Sequence, residues 1–237
     1  MSEEAPAARI SIFSHWEAAQ TPASGAWAQK RRLASAMRLV IERLVESNAP
    51  EDELSAAADG LERYAERLAT HPRLRRLEGF AESATAGDVA AFFDQSPVIG
   101  LSNPLAPPIS VRRSGERSAE AHARFGAAYE GPPGCVHGGW VAAAFDEVLG
   151  FVQSLAGSPG FTGTLTVRYR QPTPLHTDLR FETTVTGTER RKTFAEGRLY
   201  AGDLLTAEAE AIFVSADRAR FQELLAQRER MEQKRSG

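Results

Sequence analysis

The hydrophobic pattern of this 237-residue chain changes its period once, at a proline-rich stretch. Before residue 96, apolar side chains recur every three or four positions, which predicts amphipathic helices. Beyond residue 117 they mostly alternate with polar side chains, which predicts strands. The stretch between them, residues 96–110, holds four prolines in fifteen residues. Because proline is excluded from helix interiors, this stretch predicts an extended connector, and its apolar character predicts that it lies along a groove.

The first part of the chain contains two strong helix patterns and a weaker one. Apolar spacing predicts a helix over residues 26–47 and a second helix over residues 51–71. The acidic triplet that opens the second helix suits the positive end of a helix dipole. A shorter helix is expected over residues 86–94. We expect residues 1–97 to form a helical extension that caps the following domain or packs in a dimer.

One strongly apolar stretch, residues 138–155, interrupts the β part and is long enough only for a helix. A strand is expected before it over residues 118–125. Four more are expected after it, over residues 165–169, 181–185, 194–200 and 204–214. This order predicts an α+β protein whose sheet buries the apolar helix. We expect this domain to span residues 98–216, followed by a charged helical tail at 217–237.

Composition and charge restrict the class of protein. The chain is 42% hydrophobic and 25% charged, which is typical of a globular protein. It has 28 basic and 31 acidic side chains and no basic stripe, which disfavours nucleic-acid binding. The single cysteine, Cys135, excludes an intramolecular disulfide, and the five histidines lack metal-ligand spacing. With no signal-peptide pattern and no long apolar run, we expect a cytoplasmic protein without metal or membrane partner.

The segment most informative about function leads into the apolar helix and reads Glu130-Gly-Pro-Pro-Gly-Cys-Val-His137-Gly138-Gly139-Trp140. The first N–H groups of a helix have no helical partner and carry the positive end of its dipole. They therefore suit an anion or a developing oxyanion, and glycine lets a ligand approach the backbone. Turn geometry alone is the alternative explanation for the paired glycines.

An acidic residue, Asp146, lies within the same apolar helix. A carboxylate there is costly unless it is paired or functional, and a solvated helix face shared with Glu147 is the alternative. Gly138 and Asp146 are eight residues apart, or about 12 Å along a helix that rises about 1.5 Å per residue. Reacting groups must approach to about 3 Å. Both residues can therefore act on one carbon only if an antiparallel helix of a second subunit supplies one of them.

The whole pattern resembles the hotdog-fold acyl-CoA thioesterases. Gly-Pro-Pro-Gly-x-x-His-Gly-Gly, with an acid nine residues after the His, is most similar to the branch of phenylacetate-pathway and mammalian long-chain acyl-CoA thioesterases. Residues 164–175 resemble the family's strand ending in Tyr-x-x-Pro, and residues 189–192 resemble its basic turn. The resemblance covers about residues 98–215. It implies a hotdog fold, in which an antiparallel sheet wraps around a long central helix.

This resemblance implies hydrolysis of an acyl-CoA thioester to a free acid and CoA. The Gly138 N–H would polarise the thioester carbonyl, and Asp146 would attack it or activate a water. The Thr162 hydroxyl would orient the water or the carboxylate, and His137 would shape the loop or contact the substrate. Some relatives also use an Asn six residues before the His, where this chain has Gly131.

The resemblance also implies a CoA site and a dimer. The positions that correspond to the family's CoA contacts are Gly139, Arg168, Arg191, Lys192 and Thr193. For each basic residue, a solvated strand face or an ordinary charged turn is the alternative. CoA would belong to the substrate, so no separate cofactor is expected. Because the family is built from two-fold dimers, we expect an obligate homodimer or a dimer of dimers.

Two other functions are compatible with the same fold. Acyl-thioester hydratases rely on a His base within a different loop pattern, and the paired glycines after His137 disfavour that function. A non-catalytic acyl-CoA-sensing module is the other alternative, because hotdog domains occur fused to helix-turn-helix regulators. The acidic excess of residues 1–97 disfavours DNA contact there. The acyl chain length and the choice between CoA and acyl-carrier protein stay open.

Overall fold

A computed structural model describes residues 25–72, 94–107, 109–157 and 160–215, together with residues 227 and 230. Its helices are α1 (Gly25–Glu46), α2 (Glu51–Ala69) and α3 (Gly138–Ser154). Its strands are β1 (Ser110–Arg113), β2 (Ser118–Ala123), β3 (Gly160–Tyr169), β4 (Leu179–Glu189), β5 (Lys192–Ala201) and β6 (Leu204–Ser215). A 3-10 turn, Ala127–Tyr129, precedes the loop into α3. No helix in this described part is long and apolar enough to cross a bilayer.

The six strands form one antiparallel sheet in the order β1-β2-β4-β5-β6-β3. Helix α3 packs against five of them, β2 to β6. The predicted α+β hotdog arrangement is therefore confirmed. Strand β1 was missed by the sequence interpretation, because it has four residues, follows the prolines and buries only Val111. Its hydrogen bonds to β2, not its own pattern, make it a strand.

The core forms where α3 lies on the sheet. Phe145 and Phe181 are fully buried and meet edge to face, with ring centroids 5.2 Å apart. A Cβ at Gly197 would lie 3.0 Å from Thr183 Cγ2 and 3.2 Å from Phe145 Cε1. Glycine at this position therefore lets the helix approach β5. Small side chains of the last strand lie under the helix, namely Ala207, Ala209 and Ala211.

Strand β3 begins earlier than its sequence pattern indicated. Apolar alternation starts at Leu165, but the strand starts at Gly160. Its first residues belong to the sheet because they pair with the end of β6, where Gly160 lies opposite Ser215. The register shifts between Thr162 and Thr164, which marks a bulge. Strand β3 forms one end of the sheet, so its outer edge carries no partner strand among the described residues.

The connector is not helical, as predicted, but it forms consecutive turns instead of the extended segment that was expected, and it is docked rather than solvated. Ile99 and Ala106 are buried. The Arg38 guanidinium of α1 donates to the carbonyls of Leu101 and Asn103 at 3.2 and 2.9 Å. The connector thereby fixes α1 to the domain. The helix expected over residues 86–94 and most of the expected tail at 217–237 lie outside the described residues.

Candidate active site

The N-terminal end of α3 presents an unpaired backbone donor. His137 is the N-cap, and its Nδ1 accepts the Gly139 N–H at 3.0 Å. The His137 carbonyl accepts from the N–H groups of Trp140 and Val141. The Gly138 N–H has no hydrogen-bond partner among the described residues. It is therefore the first-turn donor that is available to a ligand.

The loop before α3 is held by a set of short-range hydrogen bonds. The Gly134 N–H donates to the Glu130 side chain at 2.6 Å, and φ is +72° at Gly134, a value that favours glycine. A Cβ at Gly131 would lie 2.7 Å from the Cα of His137. Position 131 thus has no room for a side chain in this loop. The asparagine contact of some relatives has no counterpart here.

Tyr169, which the sequence interpretation did not assign to the site, holds the first peptide group of α3. Its hydroxyl donates to the Gly138 carbonyl at 2.7 Å. Its ring would lie 3.3 Å from a Cβ at position 138. The 138–139 peptide is therefore fixed at its carbonyl by Tyr169 and at its N–H by His137. Tyr169 is the tyrosine of the Tyr-x-x-Pro pattern, but the pattern does not show that it reaches the helix terminus, because only the fold brings the two together.

The structure places Thr162 and Asp146 in contact. The Thr162 hydroxyl on β3 donates to Asp146 Oδ1 at 2.8 Å, although the two residues are sixteen positions apart. Thr162 is exposed and Asp146 is half-buried. Oδ2 of Asp146 accepts no hydrogen bond from any described residue. The carboxylate is thus oriented through one oxygen and open at the other.

Glu147 has a different environment from its neighbour. The Ser96 hydroxyl of the connector donates to Glu147 Oε1 at 2.8 Å. Burial raises the pKa of Glu147 above its ordinary value, and the negative charge of Asp146 raises it further. Glu147 therefore anchors the connector to α3, and the two carboxylates do not share one solvated helix face.

The predicted CoA-binding side chains are only partly exposed. Arg168 is exposed and pairs with Glu210 at 2.5 Å, which raises the pKa of the Arg168 guanidinium. Lys192, the first residue of β5, is exposed, and Arg191, in the turn between β4 and β5, donates to the Ser215 carbonyl at 2.7 Å. Thr193 is 4% exposed, because it lies on the inward face of β5. The structure does not support a contact between the Thr193 side chain and a surface ligand.

These residues form two groups that are far apart in one chain. Gly138 lies beside Tyr169 at one end of β3. Thr162 and Asp146 lie at the other end of β3. There, Phe213 of β6 pairs with Thr162 of β3 and, on its other side, with Thr193 of β5. Helix α3 is continuous, so the two groups are about 12 Å apart along it. Along β3 they are roughly 20 Å apart, at about 3.3 Å per residue. The two groups therefore do not form one compact site within a single chain.

A sequence profile of the thioesterase superfamily matches residues 133–220. A Xenopus laevis protein named acyl-coenzyme A thioesterase THEM4 is 34% identical over 87 residues, which are 36% of this chain and 39% of that protein. This chain is thus similar to the thioesterase superfamily over residues 133–220. It spans about two fifths of the length of this curated relative.

One solved structure of the thioesterase superfamily has the same fold. The crystal structure of one superfamily protein is 28% identical and superposes with a TM-score of 0.69, covering 81% of this chain and 96% of that one. Zebrafish thioesterase superfamily member 2 is 19% identical with a TM-score of 0.47, covering 55% of this chain and 97% of that one. Gly138, Asp146 and Thr162 all lie within the residues 133–220 that match the thioesterase superfamily.

Proposed function

We propose that this protein hydrolyses an acyl-CoA thioester to a free acid and CoA. The observation that carries the proposal is the Thr162–Asp146 hydrogen bond on a helix that begins with the unpaired Gly138 N–H. It occurs within a thioesterase-superfamily domain. Acyl-CoA is the substrate class in the name of the Xenopus relative, which is 34% identical over the matched region.

In this proposal, the thioester carbonyl oxygen accepts a hydrogen bond from the Gly138 N–H. The positive end of the α3 dipole favours the negative charge that develops on that oxygen. His137 positions the start of the helix, because its Nδ1 accepts a hydrogen bond from the Gly139 N–H. The Gly138 N–H beside it stays available to the substrate. Tyr169 keeps the adjoining carbonyl turned away from the substrate.

Asp146 then supplies the base. With Oδ1 held by Thr162, Oδ2 takes a proton from a water that adds to the carbonyl carbon. The C–S bond breaks as the oxyanion collapses, and the proton passes from Asp146 to the departing CoA sulfur. Direct attack by Asp146 is the alternative route. It forms a mixed anhydride that water hydrolyses to the same two products.

The complete site is shared by two chains in this proposal. Strand β3 has ten residues and an open outer edge in the described part of the chain. An open edge presents unpaired N–H and C=O groups that can pair with another strand. Antiparallel pairing of β3 with its copy around a two-fold axis sets the Thr162 end of one chain beside the Tyr169 end of the other. Asp146 of one protomer then faces the helix terminus of its partner.

The same pairing assembles a basic CoA site. Arg191 and Lys192 lie at the Thr162 end of the sheet, because Lys192 pairs with Val214 on β6. Arg168 lies at the opposite end of β3. Two-fold pairing brings these groups toward one another across the interface, where they suit the phosphates of CoA. Gly139 adds a backbone position without a side chain at the mouth of the site.

Thiol release from short-chain, long-chain and aromatic acyl-CoAs tests the proposal. We expect hydrolysis by the wild type and a loss of about 10²-fold or more in kcat for Asp146→Asn, with acyl-CoA binding retained. Glu147→Gln is the matched control, since it removes the adjacent buried carboxylate, and it should retain hydrolysis. Binding without thiol release by the wild type would overturn the proposal and favour an acyl-CoA-sensing module.

A further inference from the structure

Helix α2 leaves its apolar side chains uncovered. None of its nineteen residues is buried. Leu54, Leu61 and Leu68 repeat every seven positions, with Tyr64 between them, and these four side chains are 38% to 50% exposed. This spacing makes one apolar stripe along the helix, which is the pattern of a helix that packs against another helix. No described residue covers the stripe.

Helix α1 carries a second uncovered stripe. Its domain-facing side is occupied: Arg31 pairs with Asp94 at 2.9 Å, and Glu42 accepts the Ala127 N–H at 3.0 Å. A different side of α1 is apolar and 38% to 58% exposed, and it comprises Met37, Val40, Ile41 and Leu44. Helix α1 therefore presents a fixed apolar surface that points away from its own domain.

The charges of the two helices are complementary. Helix α1 carries five basic and two acidic side chains, whereas α2 carries six acidic and two basic ones. Pairing α1 with another α1, or α2 with another α2, would bring like charges together. Pairing α1 with α2 brings opposite charges together. The surface that fits each stripe is thus the other helix.

The linker between the helices bears on whether α1 can be covered by α2 of its own chain or by α2 of another chain. Only residues 47–50 separate them, and Pro50 is extended, with ψ 159°. An α2 that folded back on its own α1 would have a covered stripe, whereas every residue of α2 is exposed. Helix α2 therefore leaves its own α1 and is available to a neighbouring molecule.

We propose that α2 of one chain packs on α1 of a second copy, and that the exchange is reciprocal around a two-fold axis near residues 47–50. In such an antiparallel pair, positions at equal distances from the linker face each other. Leu44 then faces Leu54, and Met37 faces Leu61. Apolar residues meet along the pair, which is the arrangement a self-complementary interface requires. This interface is separate from the β3 edge and does not depend on the proposed activity.

Cysteine cross-linking between two full-length chains tests the exchange. In a Cys135→Ser background, one chain carries Met37→Cys and a differently tagged chain carries Leu61→Cys. We expect a disulfide-linked species that contains both tags when the chains are mixed and oxidised. Met37→Cys mixed with Ala56→Cys, on the opposite face of α2, is the matched control. Because a disulfide needs Cβ atoms about 4 Å apart, we expect the control to cross-link on the order of tenfold less.

Two results would overturn the exchange. A cross-link within a single chain of the double variant Met37→Cys/Leu61→Cys, without any between mixed chains, would mean that α2 folds back on its own α1. Equal cross-linking of the Leu61→Cys and Ala56→Cys chains would mean random collision. Circular dichroism of each variant verifies that the helices are retained, which exposed positions should allow.

Discussion

The two ends of the candidate site are built in different ways. At the Gly138 end, the functional group is a backbone N–H whose neighbouring peptide is held by His137 and Tyr169. At the Asp146 end, it is a side chain that a single exposed hydroxyl orients. A backbone group keeps its chemistry under nearly every substitution, whereas a carboxylate depends on residue identity. The function of the Gly138 end is therefore lost when its N–H is removed. The function of the Asp146 end is lost through small changes of a side chain.

The most specific test of the Gly138 end is a substitution that removes the N–H and adds only a small side chain. Gly138→Pro does this at the first position of α3, where proline is favourable. We expect a loss of about 10²- to 10³-fold in kcat, which is typical of losing one oxyanion donor. Steady-state thiol release measures it.

Gly138→Ala is the matched control, since it adds a Cβ but keeps the N–H. That Cβ would lie 3.3 Å from the Tyr169 ring, so a small loss is expected from crowding. If alanine and proline reduce kcat equally, the loss comes from crowding, and the donor role of Gly138 is wrong.

The Asp146 end should be more sensitive to a side chain outside α3. Thr162→Val keeps the shape of the side chain and removes the hydroxyl that donates to Asp146. We expect a loss of about tenfold in kcat, in the range of a lost hydrogen bond to a charged group. Thr162→Ser keeps the hydroxyl and should retain most of the activity. A Ser variant as impaired as the Val variant would indicate packing rather than hydrogen bonding.

The smallest effect is expected one residue away, at Glu147. Burial raises the pKa of Glu147 in the folded protein above 4.5. The contribution of Glu147 to the free energy of unfolding is therefore fully present below pH 4.5 and is lost as the pH rises through the folded-state pKa. Glu147→Gln removes this titration while it can still accept from Ser96. Wild type and variant should unfold alike near pH 4, and the variant should be the more stable at pH 7. Their difference should change by no more than about 1.4 kcal/mol per pH unit in urea titrations. A constant difference across this range would contradict the raised pKa.

Periodicity predicted most of the fold, because α3 and the long strands bury one complete face. The bounds of α1 and α2 were predicted to within about two residues. Strand β1 and the first half of β3 were missed. Strand β1 is short and follows two prolines, and the first half of β3 holds two glycines and one large apolar side chain. Neighbouring strands impose their conformation. Pairing is a property of the sheet, so no local pattern reports it.

For the site, the loop motif led to Gly138, Asp146 and Thr162, and the fold brings the last two into contact. Tyr169 could not be found this way, because a strand residue reaches a helix terminus 31 positions away only after folding. The motif position of Thr193 likewise does not report which face of β5 the residue occupies, and its side chain faces inward.

The most direct test of the central proposal is complementation between two inactive chains. A dimer of one Asp146→Asn chain and one Gly138→Pro chain, isolated through two different tags, has one site with both wild-type groups if the site is shared. We predict about half the wild-type turnover per dimer, because one of two symmetric sites is intact. Turnover no higher than that of the two homodimers would contradict a site shared between subunits.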